Sequence, residues 1–176
     1  MALNFGLIAG PLVFVTAVVG VLLLGCESAG QISETNQSKI NVPGDSHQKG
    51  LDAIRREDYD AAFSEWLPLA ALGDSKAQYY LGVMYSQVVE EKDYEEARRL
   101  FKQAADSGLM GAQYQLAVMY TEGLGGPTNY EEAIRLYKAV SKYQQPDAWY
   151  ELGKLYLRGR GVTKDEITAN VFLKKA

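Results

Sequence analysis

A nine-residue segment recurs along this chain at nearly constant spacing. The segment AQYYLGVMY at residues 77–85 returns as AQYQLAVMY at 112–120 and, more loosely, as AWYELGKLY at 148–156, so the spacings are 35 and 36 residues. A repeat of this length is typical of stacked helical hairpins, in which each hairpin buries its apolar face against its neighbours. The repeat therefore predicts an all-α solenoid, and such a scaffold favours a binding protein over an enzyme.

Two kinds of helix alternate in this pattern. The first kind contains the recurring segment, whose apolar residues lie three, four and seven positions apart on one helix face. These helices are predicted at residues 75–87, 111–122 and 147–158. The second kind begins with tyrosine followed by acidic residues, which the helix dipole favours in the first turn. These helices are predicted at residues 58–72, 93–107 and 129–143.

Small residues mark two special positions in the repeat. Gly73 and Gly108 follow second helices at the point where a left-handed cap is expected, and Gln144 takes that place after the third such helix. Gly82 and Gly153 lie inside first helices, where glycine costs about 1 kcal/mol relative to alanine. Two such glycines at one register predict a close approach of a neighbouring helix.

The combined pattern resembles the Sel-one-like repeat (SLR), a relative of the tetratricopeptide repeat. The resemblance rests on Ala-x-x-x-Leu-Gly-x-x-Tyr, a Gly-rich turn and a second helix with regularly spaced alanines. From Gly82 to Ala97 is 15 residues, which fits the long SLR turn, whereas Gly50 to Ala62 is 12 and fits a tetratricopeptide. The resemblance covers residues 46–176 and implies a right-handed α-α superhelix of about four hairpins, opened by a capping helix at 46–56.

The N-terminal region has a different composition. Residues 1–25 carry no charged side chain, and their apolar run ends at Leu23-Leu24-Gly25-Cys26. This ending resembles the lipobox of bacterial lipoproteins, which implies cleavage before Cys26 and lipidation of its thiol. The run, about 20 residues, is also long enough to cross a bilayer uncleaved, so an inner-membrane single-span anchor is the alternative. Residues 26–45, rich in Ser, Asn, Gln and Gly, are predicted to be a flexible tether.

A column of tyrosines is the candidate binding surface. The first helices of a tetratricopeptide-like superhelix line its concave face, and the repeat register places Tyr79, Tyr114 and Tyr150 in one column there. The predicted flanking residues are Lys76, Val83, Val118, Lys154 and Leu157. Tyrosine suits an interface because it supplies contact area and a polar tip at a small entropy cost. The alternative is that these rings close the seams between adjacent hairpins.

The sequence gives no support for catalysis, a cofactor, a metal or nucleic acid. The chain has one cysteine and one histidine, His47, which is expected at the end of the tether. Its 18 basic and 22 acidic residues give a net charge of −4, without the concentrated basic face that nucleic acid requires. The Gly-rich residues 123–128 lack the Gly-Lys-Ser/Thr ending of a phosphate loop and are predicted to be an interhelical turn.

These features predict a membrane-tethered adaptor or scaffold that faces the periplasm and binds protein partners through its concave face. One alternative is an accessory protein of an enzyme or secretion system that binds envelope glycan or peptide. A third possibility is a secreted effector or colonisation factor, which a cleaved signal without lipid would favour.

Overall fold

The computed structural model describes residues 44–88 and 92–176, with side chains from residue 46 onward. This part of the chain folds into eight α-helices that form four consecutive hairpins. The hairpins are α1 (Gly44–Arg55) with α2 (Tyr59–Ala71), α3 (Ser75–Val83) with α4 (Tyr94–Asp106), α5 (Met110–Glu122) with α6 (Tyr130–Ser141), and α7 (Pro146–Arg158) with α8 (Glu166–Leu173). Each helix packs on the next one along the chain. The predicted all-α stack of hairpins is therefore confirmed.

Short polar side chains begin the second helices. Asp58, Asp93, Asn129 and Asp165 each accept a hydrogen bond from the backbone N–H three residues further on, at 2.9–3.1 Å. Such a bond satisfies one of the amide groups that a helix leaves unpaired at its start. The local sequence therefore determines where these four helices begin.

The last tyrosine of the recurring segment closes each long turn. The carbonyl oxygens of Tyr85, Tyr120 and Tyr156 accept the backbone N–H of the capping residues Asp93, Asn129 and Asp165, at 2.9–3.1 Å. The first of these turns is one residue shorter than the other two, and there α3 continues into a π-helix at Met84–Val88. The same closure is thus kept in all three hairpins despite the difference in length.

The predicted left-handed caps are present. Gly73 and Gly108 have φ values of 88° and 87°, and Gln144 takes the same backbone region at 58°. Pro68 lies inside α2, which continues past it to Ala71.

Glycine allows the two helices of a hairpin to approach closely. A Cβ atom added at Gly50 would lie 2.2 Å from the Trp66 ring, and one at Gly82 would lie 2.8 Å from the Phe101 ring. These distances are too short for any side chain, so the predicted close approach is confirmed. The two contacts also show that Gly50 and Gly82 occupy the same position in successive hairpins.

The Gly-rich residues 123–128 form the predicted interhelical turn, and they also join two hairpins. A Cβ atom at Gly125 would lie 2.0 Å from the carbonyl oxygen of Tyr94, at the start of the preceding α4. From the same helix, Arg98 donates hydrogen bonds to the carbonyl oxygens of Leu124 (3.4 Å) and Pro127 (2.9 Å). The turn of the third hairpin is therefore docked on the second hairpin.

Candidate binding surface on the first helices

The first residues of the tyrosine column are buried. Tyr79 is only 4% exposed, its ring lies 3.3 Å from the position of a Cβ at Gly111, and its centroid is 5.9 Å from that of Phe101. Val83 is fully buried. Tyr79 closes the seam between the second and third hairpins, as the alternative interpretation proposed. Neither side chain is accessible to a partner, which corrects the expectation for these two residues.

The middle of the column is partly accessible. Tyr114 is half-buried and packs edge-on against Tyr137, with ring centroids 5.7 Å apart. Burial, together with the negative charges of Asp147 and Glu151, raises the pKa of Tyr114 to about 12. The two carboxylates belong to α7, so Tyr114 lies beside the next first helix as Tyr79 does. Val118 and Lys76, two other members of the predicted set, are also half-buried.

The end of the column is exposed to solvent. Tyr150 is 50% exposed and Leu157 is 42% exposed. The ammonium of Lys154 lies 4.9 Å from the centre of the Tyr150 ring and 2.7 Å from a carboxylate oxygen of Glu151. Along the stack, the same register position thus changes from a core residue to a surface residue.

His47 belongs to the same column, which the sequence interpretation missed. It lies three residues before Gly50, just as Tyr79 lies three residues before Gly82. Its Nε2 atom is 2.8 Å from Oδ1 of Asp74, the residue that caps the next first helix. His47 lies within the predicted capping helix 46–56, and the register of Gly50 was the signal that could have placed it in the column.

The pKa of the Asp74 carboxyl group is lowered in the folded protein. Burial alone would raise its pKa, but hydrogen bonds from His47 and from the backbone N–H of Ala77 outweigh that effect and lower the pKa below its usual value. The carboxylate is therefore held in its ionised form as a structural acceptor.

A groove of about 300 Å³ lies between α4, α5 and α6. Its charged lining residues pair within their own helices, Lys102 with Asp106 at 3.0 Å and Arg135 with Glu132.

Across residues 44–88 and 92–176, no group of three or more His, Cys, Asp or Glu side chains is arranged to hold a metal ion. In the same residues, none of the helices has the length and apolar character needed to cross a bilayer. The predicted lipidation site Cys26 lies outside the described residues.

The stacked hairpins and their long, docked turns define a helical-repeat protein. The family model of the Sel1 repeat matches residues 75–109, 111–139 and 146–176, and the chain therefore belongs to the Sel1 repeat family. Proteins of this family generally mediate protein–protein interactions and are typically non-catalytic scaffolds. No curated protein sequence matches the chain.

Similar solved structures include proteins with Sel1-type repeats. A Sel1 repeat protein from Oxalobacter formigenes matches with a TM-score of 0.66 and 25% identity, over 76% of this chain and 53% of its own. A protective antigen of uropathogenic Escherichia coli that displays an SLR fold matches with a TM-score of 0.69 and 25% identity, over 89% of this chain and 32% of its own. The chain thus spans about half and about a third of the lengths of these two proteins.

Proposed function

We propose that this protein is an adaptor that binds a protein partner through the concave face of its repeat stack. The observation that supports the proposal is that the column stays partly accessible in the interior of the stack, where Lys76, Tyr114 and Val118 are all only half-buried. The surface available to a partner is formed by the accessible members of the predicted set, Lys76, Tyr114, Val118, Tyr150, Lys154 and Leu157. Its centre is the Tyr114 ring, which packs against Tyr137 and is only half-buried.

The adaptor is tethered to a bacterial membrane and faces the periplasm. The apolar residues 1–25, the lipobox-like ending at Cys26 and the polar residues 26–45 support this part of the proposal. Lipid labelling of cells that produce the wild-type chain or Cys26→Ser tests it. The lipoprotein proposal requires the label to disappear in Cys26→Ser. Unchanged labelling would exclude it, and unlabelled wild type that still fractionates with the inner membrane would favour the single-span anchor.

Partner binding is tested by crosslinking in intact cells, followed by identification of the proteins that co-purify. Tyr114→Ala combined with Lys76→Glu should abolish capture of the specific partner. Tyr143→Ala is the matched control, because Tyr143 is an exposed tyrosine outside the predicted set. Full capture by the double variant, with its fold confirmed by circular dichroism, would exclude this surface as the binding site.

A glycan-binding role is the second candidate. Tyr150 is an exposed aromatic ring that lies next to the carboxylate of Glu151 and the ammonium of Lys154. Aromatic rings beside charged groups suit the apolar faces and hydroxyl groups of sugars. Retention of the protein on purified cell-wall glycan, and its loss in Tyr150→Ala, would favour this role over a protein partner. Release of the protein from cells without lipid would instead favour a secreted effector or colonisation factor.

A further inference from the structure

The short turns that connect one hairpin to the next lie along one edge of the repeat stack. In the first three hairpins the second helix ends with the equivalent residues Leu72, Ser107 and Tyr143, each of which directly precedes a residue in the left-handed backbone region. We define the short-turn edge by these three residues. Leu72 is 65% exposed and Tyr143 is 60% exposed. Two hairpins thus present a large apolar side chain to solvent at the same register position.

The chain enters the stack at the short-turn edge. His47, near the start of α1, contacts Asp74 in the short turn between α2 and α3. Because α1 begins at Gly44, residues 1–43 join the stack on the side where Leu72 lies. In the proposed function these residues hold the protein at a membrane, so the short-turn edge is directly connected to the membrane anchor.

The opposite edge of the stack, formed by the long turns within the hairpins, is acidic. In the first three hairpins the second helix begins at this long-turn edge with acidic side chains in or just before its first turn. These are Asp58, Asp60, Asp93, Glu95, Glu96, Glu131 and Glu132. An anionic surface therefore repels the long-turn edge.

From residue 46 onward, the short-turn edge has fewer acidic side chains. These are Asp74, Asp106 and Asp147. The first is bonded to His47, and the second is paired with Lys102 at 3.0 Å. Lys142 and Lys174, near the ends of α6 and α8, are exposed to solvent. An anionic surface therefore accepts the short-turn edge more readily than the long-turn edge.

We propose that the short-turn edge docks on the surface of an anionic lipid bilayer, with Leu72 and Tyr143 inserted at the level of the headgroups. A bilayer surface is flat, so it can meet the equivalent positions of several hairpins at once. Tyrosine is favoured at membrane interfaces because its ring is apolar and its hydroxyl group stays hydrated. Lysine suits the same level, since its stem lies on apolar surface while its ammonium group reaches the headgroups.

The docking rests on the proposed membrane tether and adds a fixed orientation to it. With the short-turn edge on the bilayer, the concave face opens sideways along the membrane and stays accessible to a partner. The tether holds the protein at the membrane without this contact. Tyr143→Ala therefore changes only the orientation of the stack and remains a valid control for partner capture.

The first test measures the depth of a nitroxide label on the full chain in vesicles of phosphatidylethanolamine and phosphatidylglycerol. The label is attached through Ser107→Cys in a Cys26→Ser chain, which keeps the apolar residues 1–25. The matched label is attached through Thr163→Cys, in the exposed long turn of the fourth hairpin. Oxygen concentrates in the bilayer, whereas a charged nickel complex stays in water. The label at position 107 should therefore have more contact with oxygen and less with the nickel complex than the label at position 163.

The outcomes of this test separate the docking from the tether. Equal contact of both labels with the nickel complex, in a chain that floats with the vesicles, would overturn the docking and leave the tether intact. A label at position 107 that avoids the nickel complex without gaining contact with oxygen would show that protein covers this edge, which also overturns the docking. A chain that does not float with the vesicles would contradict anchoring by residues 1–25 and remove the basis of the docking.

The second test removes the apolar side chains of the edge. Leu72→Ser with Tyr143→Ser should lower the ratio of docked to undocked label at position 107 at least about tenfold, because two apolar anchors are lost. The matched control is Ile167→Ser with Val171→Ser, which removes two exposed apolar side chains of α8 and should leave the ratio unchanged. An equal effect of the two pairs would show that the short-turn edge is not the docking surface.

The third test reverses charges. Lys142→Glu with Lys174→Glu should lower the docked ratio at least about tenfold on vesicles that contain phosphatidylglycerol, since anionic lipids attract lysines near their surface. On vesicles of phosphatidylcholine alone the two substitutions should have little effect. The matched control is Arg56→Glu with Lys92→Glu, which changes the net charge equally at the exposed long-turn edge. Equal weakening by both pairs would mean that only the net charge matters, and the proposed orientation would be wrong.

Discussion

The Nε2 atom of His47 lies 2.8 Å from Oδ1 of Asp74, and this contact joins α1 to the start of α3. The same oxygen accepts the backbone N–H of Ala77 at 2.8 Å, so one carboxylate caps α3 and also binds the preceding hairpin. One repeat later, the ring of Tyr79 meets Gly111 in the first turn of α5. His47 and Tyr79, which share one register position, therefore each connect a first helix to the beginning of the next first helix.

Replacement of Asp74 tests this double role. Asp74→Ala should lower the free energy of unfolding by about 2 kcal/mol, because it removes a helix cap and leaves the part-buried His47 ring without its acceptor. Asp58→Ala is the matched control, since Asp58 caps α2 through the same kind of bond but is exposed to solvent. The control should cost about 1 kcal/mol. Equal effects of the two variants in urea denaturation would show that the bond to His47 contributes nothing.

The lowered pKa of Asp74 predicts how stability depends on pH. A carboxyl group whose pKa is lower in the folded state binds fewer protons there than in the unfolded state. Its contribution is therefore fully present above the unfolded-state value, for which 3.8 is the reference, and is lost as the pH falls through the folded-state pKa.

Asp74→Asn isolates this contribution, because asparagine can still cap a helix but cannot ionise. The difference in unfolding free energy between wild type and Asp74→Asn should be largest near neutral pH. It should shrink as the pH falls below about 4, since the wild-type carboxylate then becomes protonated as well. Chemical denaturation at a series of pH values measures the difference. A constant difference across that range would contradict the prediction.

The close approach at Gly82 gives a third prediction. Alanine has the higher helix propensity, by about 1 kcal/mol, so Gly82→Ala would stabilise an isolated helix. In this structure the added methyl group meets the Phe101 ring, and we expect a net loss of about 1–3 kcal/mol from overpacking. The same substitution in a Phe101→Ala background should cost nothing, because the ring is absent. Additive effects in this double-mutant cycle would show that the clash is not the cause.

Local signals in the sequence were sufficient to predict the helices and the glycines that end two of them. Gly73 and Gly108 act on residues next to them in the chain, so their roles as caps were predicted without the tertiary structure. The N-terminal caps Asp58, Asp93 and Asn129 are equally local, but the sequence analysis did not name them. The repeat register also predicted the close approach at Gly82, because glycine recurs at the same register position as Gly153.

The accessible surface could not be predicted in the same way. Tyr79 and Tyr150 lie in nearly equivalent segments, yet Tyr79 is buried because a following hairpin covers it. The bond between His47 and Asp74 joins residues 27 positions apart in the sequence, and no local pattern announces it. The π-helix at Met84–Val88 was not predicted either, although the turn that follows the recurring segment there is one residue shorter than the other two.

The docking of the long turn on the preceding hairpin gives the last prediction. Gly125 and Gly73 both have positive φ values, of 67° and 88°, so alanine at either position costs about 1–2 kcal/mol in backbone strain. An added Cβ at Gly73 has no neighbour within 4 Å, whereas at Gly125 it meets the backbone carbonyl of Tyr94, which cannot move without displacing α4. Gly125→Ala should therefore cost at least about 1 kcal/mol more than Gly73→Ala in urea denaturation. It should also speed hydrogen exchange at the start of α4 and in residues 123–128, whereas Gly73→Ala should leave exchange in these two segments unchanged. Equal costs and unchanged exchange in both variants would show that the turn does not hold the second and third hairpins together.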